Sequence, residues 1–187
     1  HMVLKGWHDA PKLVALLAER DILENGSPVD LTLRMEALAD PQRFKSQTPY
    51  RLNHAVLARV QLEVKRLKPV GAHRLSVGAM AALAYPDRVG LRRKGDAPRY
   101  VLSGGKGAIL RGDDPMANQR LIVATDLDGD TREAKIRAAA PITEAELREA
   151  FAAQIRRENL CDWSRRDRAV QPVSRETLGA LVLSQQV

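Results

Sequence analysis

Apolar residues recur at helical spacing up to about residue 75. After Ser76 the chain breaks into short strand-like runs separated by Gly and Asp turns. That single switch of period confines the chain to an α+β fold, a small helical bundle followed by a β-barrel. It predicts a helical region over 1–75 and a barrel domain over 76–187. The chain has 187 residues, 44% of them hydrophobic, which is enough apolar surface for one or two cores.

In the first region, Asp9 stands where it would cap a helix carrying Leu13, Leu16 and Leu17, with Pro11 tolerated in the first turn. Ser27-Pro28-Val29-Asp30 is a start signal: Ser27 accepts from free amides, Pro28 needs no amide partner, and Asp30 suits the positive end. The helix it opens carries Leu31, Met35 and Leu38 and stops near Asp40-Pro41. Segment 39–50 lacks periodicity and reads as a loop. A longer helix after Pro49 carries Leu52, Val56, Val60, Val64 and Leu67 and ends at Lys68-Pro69.

The second region opens with a short helix, about 76–84, closed by Tyr85-Pro86 because a residue before proline leaves the helical region. Strands follow at about 88–93, 99–103, 107–111, 120–126 and 132–139. Along the last of these, Ala134, Ile136 and Ala138 alternate with Glu133, Lys135 and Arg137, giving a half-buried strand with a charged outer face. Thr143 and Glu146 form a capping box that opens a helix over about 144–158, buried through Leu147, Phe151 and Ile155. Two more strands are expected near 168–173 and 178–184, with Pro172 at an edge or bulge. Five to seven short strands with one inserted helix fit an OB-like barrel.

Net charge is +7, which favours an acidic partner, nucleic acid before anionic lipid. No apolar run approaches the roughly 20 residues that cross a bilayer, so no membrane partner is expected. The single cysteine, Cys161, excludes an intramolecular disulfide and suits a reducing cytoplasm. It reads as a small buried residue near a strand start. His1-Met2 reads as a cloning scar, which suggests an excised fragment.

Two stretches invite catalytic readings and fail on spacing. Gly104-Gly105-Lys106-Gly107 lacks the four-residue gap and the Ser or Thr that a phosphate loop needs after its lysine, so a hairpin turn is preferred. Asp126-Leu127-Asp128-Gly129-Asp130 has its glycine too early for a calcium loop, and Arg137 stands where the bidentate Glu belongs. No catalytic or metal constellation emerges, and no cofactor is expected in this stretch. The positive signal is cationic. Arg92, Arg93, Lys94, Arg99, Lys106 and Arg111 fall on the first barrel strands and loops, and these six are the candidate nucleic-acid contacts. Arg88 precedes them, and Arg165, Arg166, Arg168 and Arg175 form a second group. Tyr100 could stack on a base, although core packing is its better reading.

ALAYPDRVGLRR, RYVLSGGKGAILRGDDP, LIVATDLDGD with REAKIRAAAPI, and LGALVLSQQ together resemble the region that follows the motor in bacterial HrpB-type helicases of the DEAH/RHA class. The resemblance runs from about Ser76 to the end, and it extends more weakly to ALLAERDIL and VDLTLRMEAL, which look like the family's ratchet-type helices. It implies an accessory part of an ATP-dependent RNA helicase that helps form the nucleic-acid channel. Two RecA-like motor domains of the same parent chain, with ATP and magnesium, would then lie outside this stretch. The implied partner is single-stranded nucleic acid, RNA by the resemblance. The alternative reading is a docking module without nucleic-acid binding of its own.

Overall fold

A computed structural model describes residues 7–67, 71–130, 132–164 and 168–186. Four helices come first: α1 (Ala10–Ala18), α2 (Leu31–Ala39), α3 (Pro41–Gln47) and α4 (His54–Arg66). Their own core joins Ala15, Leu16, Ile22, Leu38, Phe44, Val56, Leu57 and Val60. Buried apolar faces of this kind supply most of the stability of helices this short.

The sequence places α1, α2 and α4, misses α3, and sets several helix ends incorrectly. Asp9 precedes α1 but makes no side-chain cap; its carboxylate takes the Lys12 ammonium at 2.9 Å instead. Ser27 does not cap α2, since its hydroxyl donates to Glu24 O; Asp30 is the cap, and it accepts from Thr32 N. Segment 39–50 is no loop. Asp40 ends α2 and at once caps α3 by accepting from Arg43 N at 3.0 Å, with Pro41 in the first turn and Phe44 buried. Asn53 caps α4, so Leu52 lies ahead of that helix in a bridge to Leu23.

α5 (Val77–Ala84) starts on Ser76, whose hydroxyl accepts from Ala79 N, and Tyr85 closes it as expected. Five strands then close a barrel in the order β1-β2-β3-β5-β4: β1 (Val89–Arg92), β2 (Arg99–Leu102), β3 (Gly107–Ile109), β4 (Leu121–Leu127) and β5 (Glu133–Pro141). β1 returns to β4 through Val89↔Val123, and β3 runs parallel to β5, the one parallel pair among the described barrel strands. Tyr100, Leu102, Ala108, Ile122, Ala124 and Ile136 fill the interior. Outside, Val89, Leu121 and Val123 pack against α5 and α6 (Glu144–Ala150), together with Leu181 and Leu183. Gly78 of α5 faces the Pro141 carbonyl so closely that a Cβ there would collide with it, which sets the depth of the helix on the barrel.

After α6 the chain departs from expectation. The helix ends at Ala150 and not near 158, and the remaining strands do not join the barrel. They form a separate three-stranded sheet, β6 (Arg156–Ser164), β7 (Ala169–Leu178) and β8 (Leu181–Gln186), in the order β6-β7-β8. Pro172 lies on β7 beyond Ser174↔Gln186, the last pair with β8, so its missing amide leaves no gap in that ladder. Cys161 is exposed, contrary to the burial expected of it, because both faces of β6 meet solvent.

The helical part and the barrel share a fourth cluster, Ala10, Leu13, Leu31, Met80 and Ala140. Val29 joins the two parts through the backbone. Its amide donates to Asp114 Oδ2 at 3.0 Å, and its carbonyl accepts from Ala139 N at 3.0 Å.

Candidate nucleic-acid interface

Most of the barrel's outer wall is covered; the outer face is open at the Arg99 end of β2, on β3 and along the first half of β5, while Val101 of β2 packs against the outer cluster. Tyr100 and Leu102 point inward, so Arg99 and Val101 point out. The register then lines up Arg99, Ile109 and Lys135 as one row across three strands, and Val101, Gly107 and Glu133 as the next. Arg99 Nε lies 3.1 Å from Glu133 Oε1, a diagonal exposed pair that steadies the side chain without neutralising the row.

The two loops beside this face are stiffened by their own side chains. In the β1–β2 loop, Arg92 donates from Nε to Ala117 O at 2.8 Å and from Nη1 to Gly95 O at 3.3 Å. Arg92 is therefore a clamp that shapes the loop, and Arg93 and Lys94 project from it exposed. In the β4–β5 loop, Asp128 Oδ1 accepts from Lys135 N at 2.8 Å, and Asp130 Oδ1 accepts from Arg132 N at 2.8 Å. The Arg132 and Glu133 amides, both donating to Asp130, hold its carboxyl below the usual carboxylate range. The aspartates thus work as turn formers, the hairpin expected of this stretch. The Gly104–Gly107 stretch is likewise the β2–β3 turn, with Leu102 N donating to Lys106 O at 2.8 Å.

The six candidate residues divide accordingly. Arg93, Lys94, Arg99 and Arg111 gather at one end of the open face; Arg111 follows β3 directly, where Leu110 N meets Pro98 O, and pairs loosely with Asp113 at 3.5 Å. Arg92 stands beside them with its guanidinium turned to main-chain carbonyls. Lys106 is exposed at the opposite end of the barrel, in the β2–β3 turn. Arg88 donates to Thr125 O at 2.9 Å, with its guanidinium carbon 5.1 Å from the centre of the Tyr85 ring. Arg175 pairs with Asp162 at 3.0 Å, and Arg165 and Arg166 lie outside the described residues.

Tyr100 is fully buried and donates its hydroxyl to Gln119 O at 2.8 Å, so it is core and no stacking platform. Burial pushes its phenol up to about 12. The candidate set omitted Lys135 and Arg137, both exposed on β5. The alternation over 133–138 carried that signal. Arg137 lines a cleft of about 510 Å³ between the α1–α2 connection and β4–β5, opposite Asp21 and Arg34. There the Arg34 guanidinium grips Asp21 through Nε at 3.1 Å and Nη2 at 2.6 Å, and donates to Asp30 O and Pro28 O.

No helix among the described residues is long and apolar enough to cross a membrane. No family profile and no curated protein matches the sequence. Solved structures do match. The chain is similar to the crystal structure of the Escherichia coli DExH-box NTPase HrpB, with a TM-score of 0.69 and 24% identity, over 99% of this chain and 22% of that one. It is also similar to the crystal structure of the Escherichia coli DEAH/RHA helicase HrpB, with a TM-score of 0.66 and 21% identity, again over 99% of this chain and 22% of that one. The chain thus spans about a fifth of the length of the structures it matches and shares the fold of that part.

Proposed function

We propose that this chain is an accessory nucleic-acid-binding part of a DEAH/RHA-type helicase, and that single-stranded RNA lies across the open face of the barrel. The observation that carries the reading is the cationic row Arg99–Lys135 with Arg93, Lys94 and Arg111 at its end. The barrel has the strand number of an OB fold, and the strand 2–3 face with the 1–2 and 4–5 loops is where OB folds hold oligonucleotides. Ile109 between the two cations gives the row an apolar centre against which a base edge can pack. In the proposed parent, ATP and magnesium belong to RecA-like motor domains elsewhere in the same chain, acting in the cytoplasm.

Fluorescence anisotropy with a labelled single-stranded RNA tests this. Binding should weaken steeply as salt rises from 50 to 200 mM, in the manner of phosphate contacts. The double reversal Arg99→Glu with Lys135→Glu should reduce affinity at least ~10-fold and flatten the salt slope by about two. Lys106→Glu, at the far end of the barrel, serves as the control. Equal losses from the control and the double variant would leave only diffuse charge and sink the assignment of this face.

A further inference from the structure

The β6–β7 hairpin carries a feature that the barrel reading does not use. The two strands pair through nine consecutive registers, from Arg156↔Thr177 to Ser164↔Ala169, while β8 reaches no further along β7 than Ser174. The distal half is therefore a two-stranded ribbon without a third strand, and β6 is exposed on both faces from Arg156 to Trp163. Near its end Trp163 is 58% exposed and faces Val170, which is 63% exposed. Trp163 is the exposed aromatic side chain among the described residues; Trp7, Tyr50 and Tyr85 are half-buried, and Phe44, Tyr100 and Phe151 are buried.

We propose that this hairpin is a second contact for single-stranded nucleic acid, with the Trp163 indole stacking on one unpaired base. Strand alternation puts Trp163, Asn159 and Arg157 on one face, about 20 Å from end to end at 3.4 Å per residue. At the inner end Arg157, 3.2 Å from the Glu176 carboxylate, and Ser174 border a shallow polar depression of about 140 Å³ that Glu176 also lines. An exposed aromatic plate followed by a polar track is an arrangement on which a single strand can lie without its sequence being read. The charge agrees: the described residues of 156–175 hold four arginines and two carboxylates, and the guanidinium is the cation best matched to phosphate. A protein partner fits less well. Leu160 lies on the opposite face, so the apolar area beside Trp163 is confined to Val170, Cys161 and Pro172, enough for a base and small for a stable protein interface.

This inference rests on the nucleic-acid reading of the chain but on different residues, so the two can fail separately. In a Trp7→Phe chain, Trp163 is the remaining indole, and a single-stranded uridine oligomer should quench its emission along the binding curve. Trp163→Leu should weaken binding about 10-fold by anisotropy, while Trp163→Phe should retain most of it. Binding with unchanged Trp163 emission overturns the inference and leaves the barrel face standing. Equal quenching by heparin, a polyanion without bases, overturns stacking. A blue shift that depends on protein concentration alone assigns the indole to a protein contact, which also overturns it. Quenching that survives Arg99→Glu with Lys135→Glu supports the hairpin even if the barrel face falls, and no binding by either readout sinks both.

Discussion

Several polar side chains do structural work because burial leaves them no water to bond. Tyr100 is one. Its phenol stays neutral when folded because burial opposes the charge, so its pKa rises from the ordinary value near 10 to about 12. Below pH 10 folded and unfolded chains both carry the proton, and the full stability is present. As pH climbs toward 12 the unfolded chain ionises first, so stability falls across that window. Tyr100→Phe should cost about 1 kcal/mol at pH 8, from the lost hydroxyl bonds, and should flatten the decline between pH 10 and 12. Urea unfolding at pH 8 and pH 11 measures both effects. Arg92 does structural work while half-buried. Its carbonyl acceptors lie in its own loop and in the turn at Ala117, so charge alone marked it as a ligand contact when its donors are already engaged.

Among elements, α3 shows where sequence patterning stops working. It has seven residues and buries Phe44 alone, and one apolar residue sets no period, so segment 39–50 looked like a loop. The Asp40-Pro41 pair reads as a stop because it does end α2; that the same carboxylate opens α3 becomes visible only in space. Asp40→Ala should remove the α3 cap and cost about 1 kcal/mol, read as a lower urea midpoint at unchanged slope. β6 escaped detection for a related reason. A strand exposed on both faces has no inside to alternate with, so its residues were assigned partly to the preceding helix. The barrel strands and α5 are legible because each carries a covered apolar face, two in β4, with clear punctuation at its ends. The candidate site was legible in charge, through Arg93, Lys94, Arg99 and Arg111. It was not legible in register, which sends Lys106 to the far end and brings Lys135 beside Ile109.

Over the whole molecule, the helices and the barrel are tied by a few specific bonds as well as a shared apolar cluster. Asp114 is 3% exposed, and its two oxygens accept from Val29 N and Met116 N at 3.0 and 2.9 Å. One carboxylate thus fixes both the approach to α2 and the turn before β4. Asp114→Ala would strand two buried amides and should cost about 2–4 kcal/mol. Helical circular dichroism and the near-ultraviolet signal of the barrel's buried Tyr100 should lose midpoint together, since the seam belongs to both parts. Transitions that separate already in the unsubstituted chain would contradict this linkage.

β4 has a consequence of its own. Leu121 through Thr125 are five consecutive buried residues, with Ile122 and Ala124 inside the barrel and Leu121 and Val123 beneath α5 and α6. Strands on both sides, β1 and β5, bind its backbone. No local fluctuation uncovers such a strand; water reaches its amides only when barrel and helices come apart together. In deuterated solvent the β4 amides should be the last to exchange, at the rate of global unfolding. β6, at the rim of its sheet, should exchange among the first. The same chain would then carry its slowest and its fastest clocks within forty or so residues of each other.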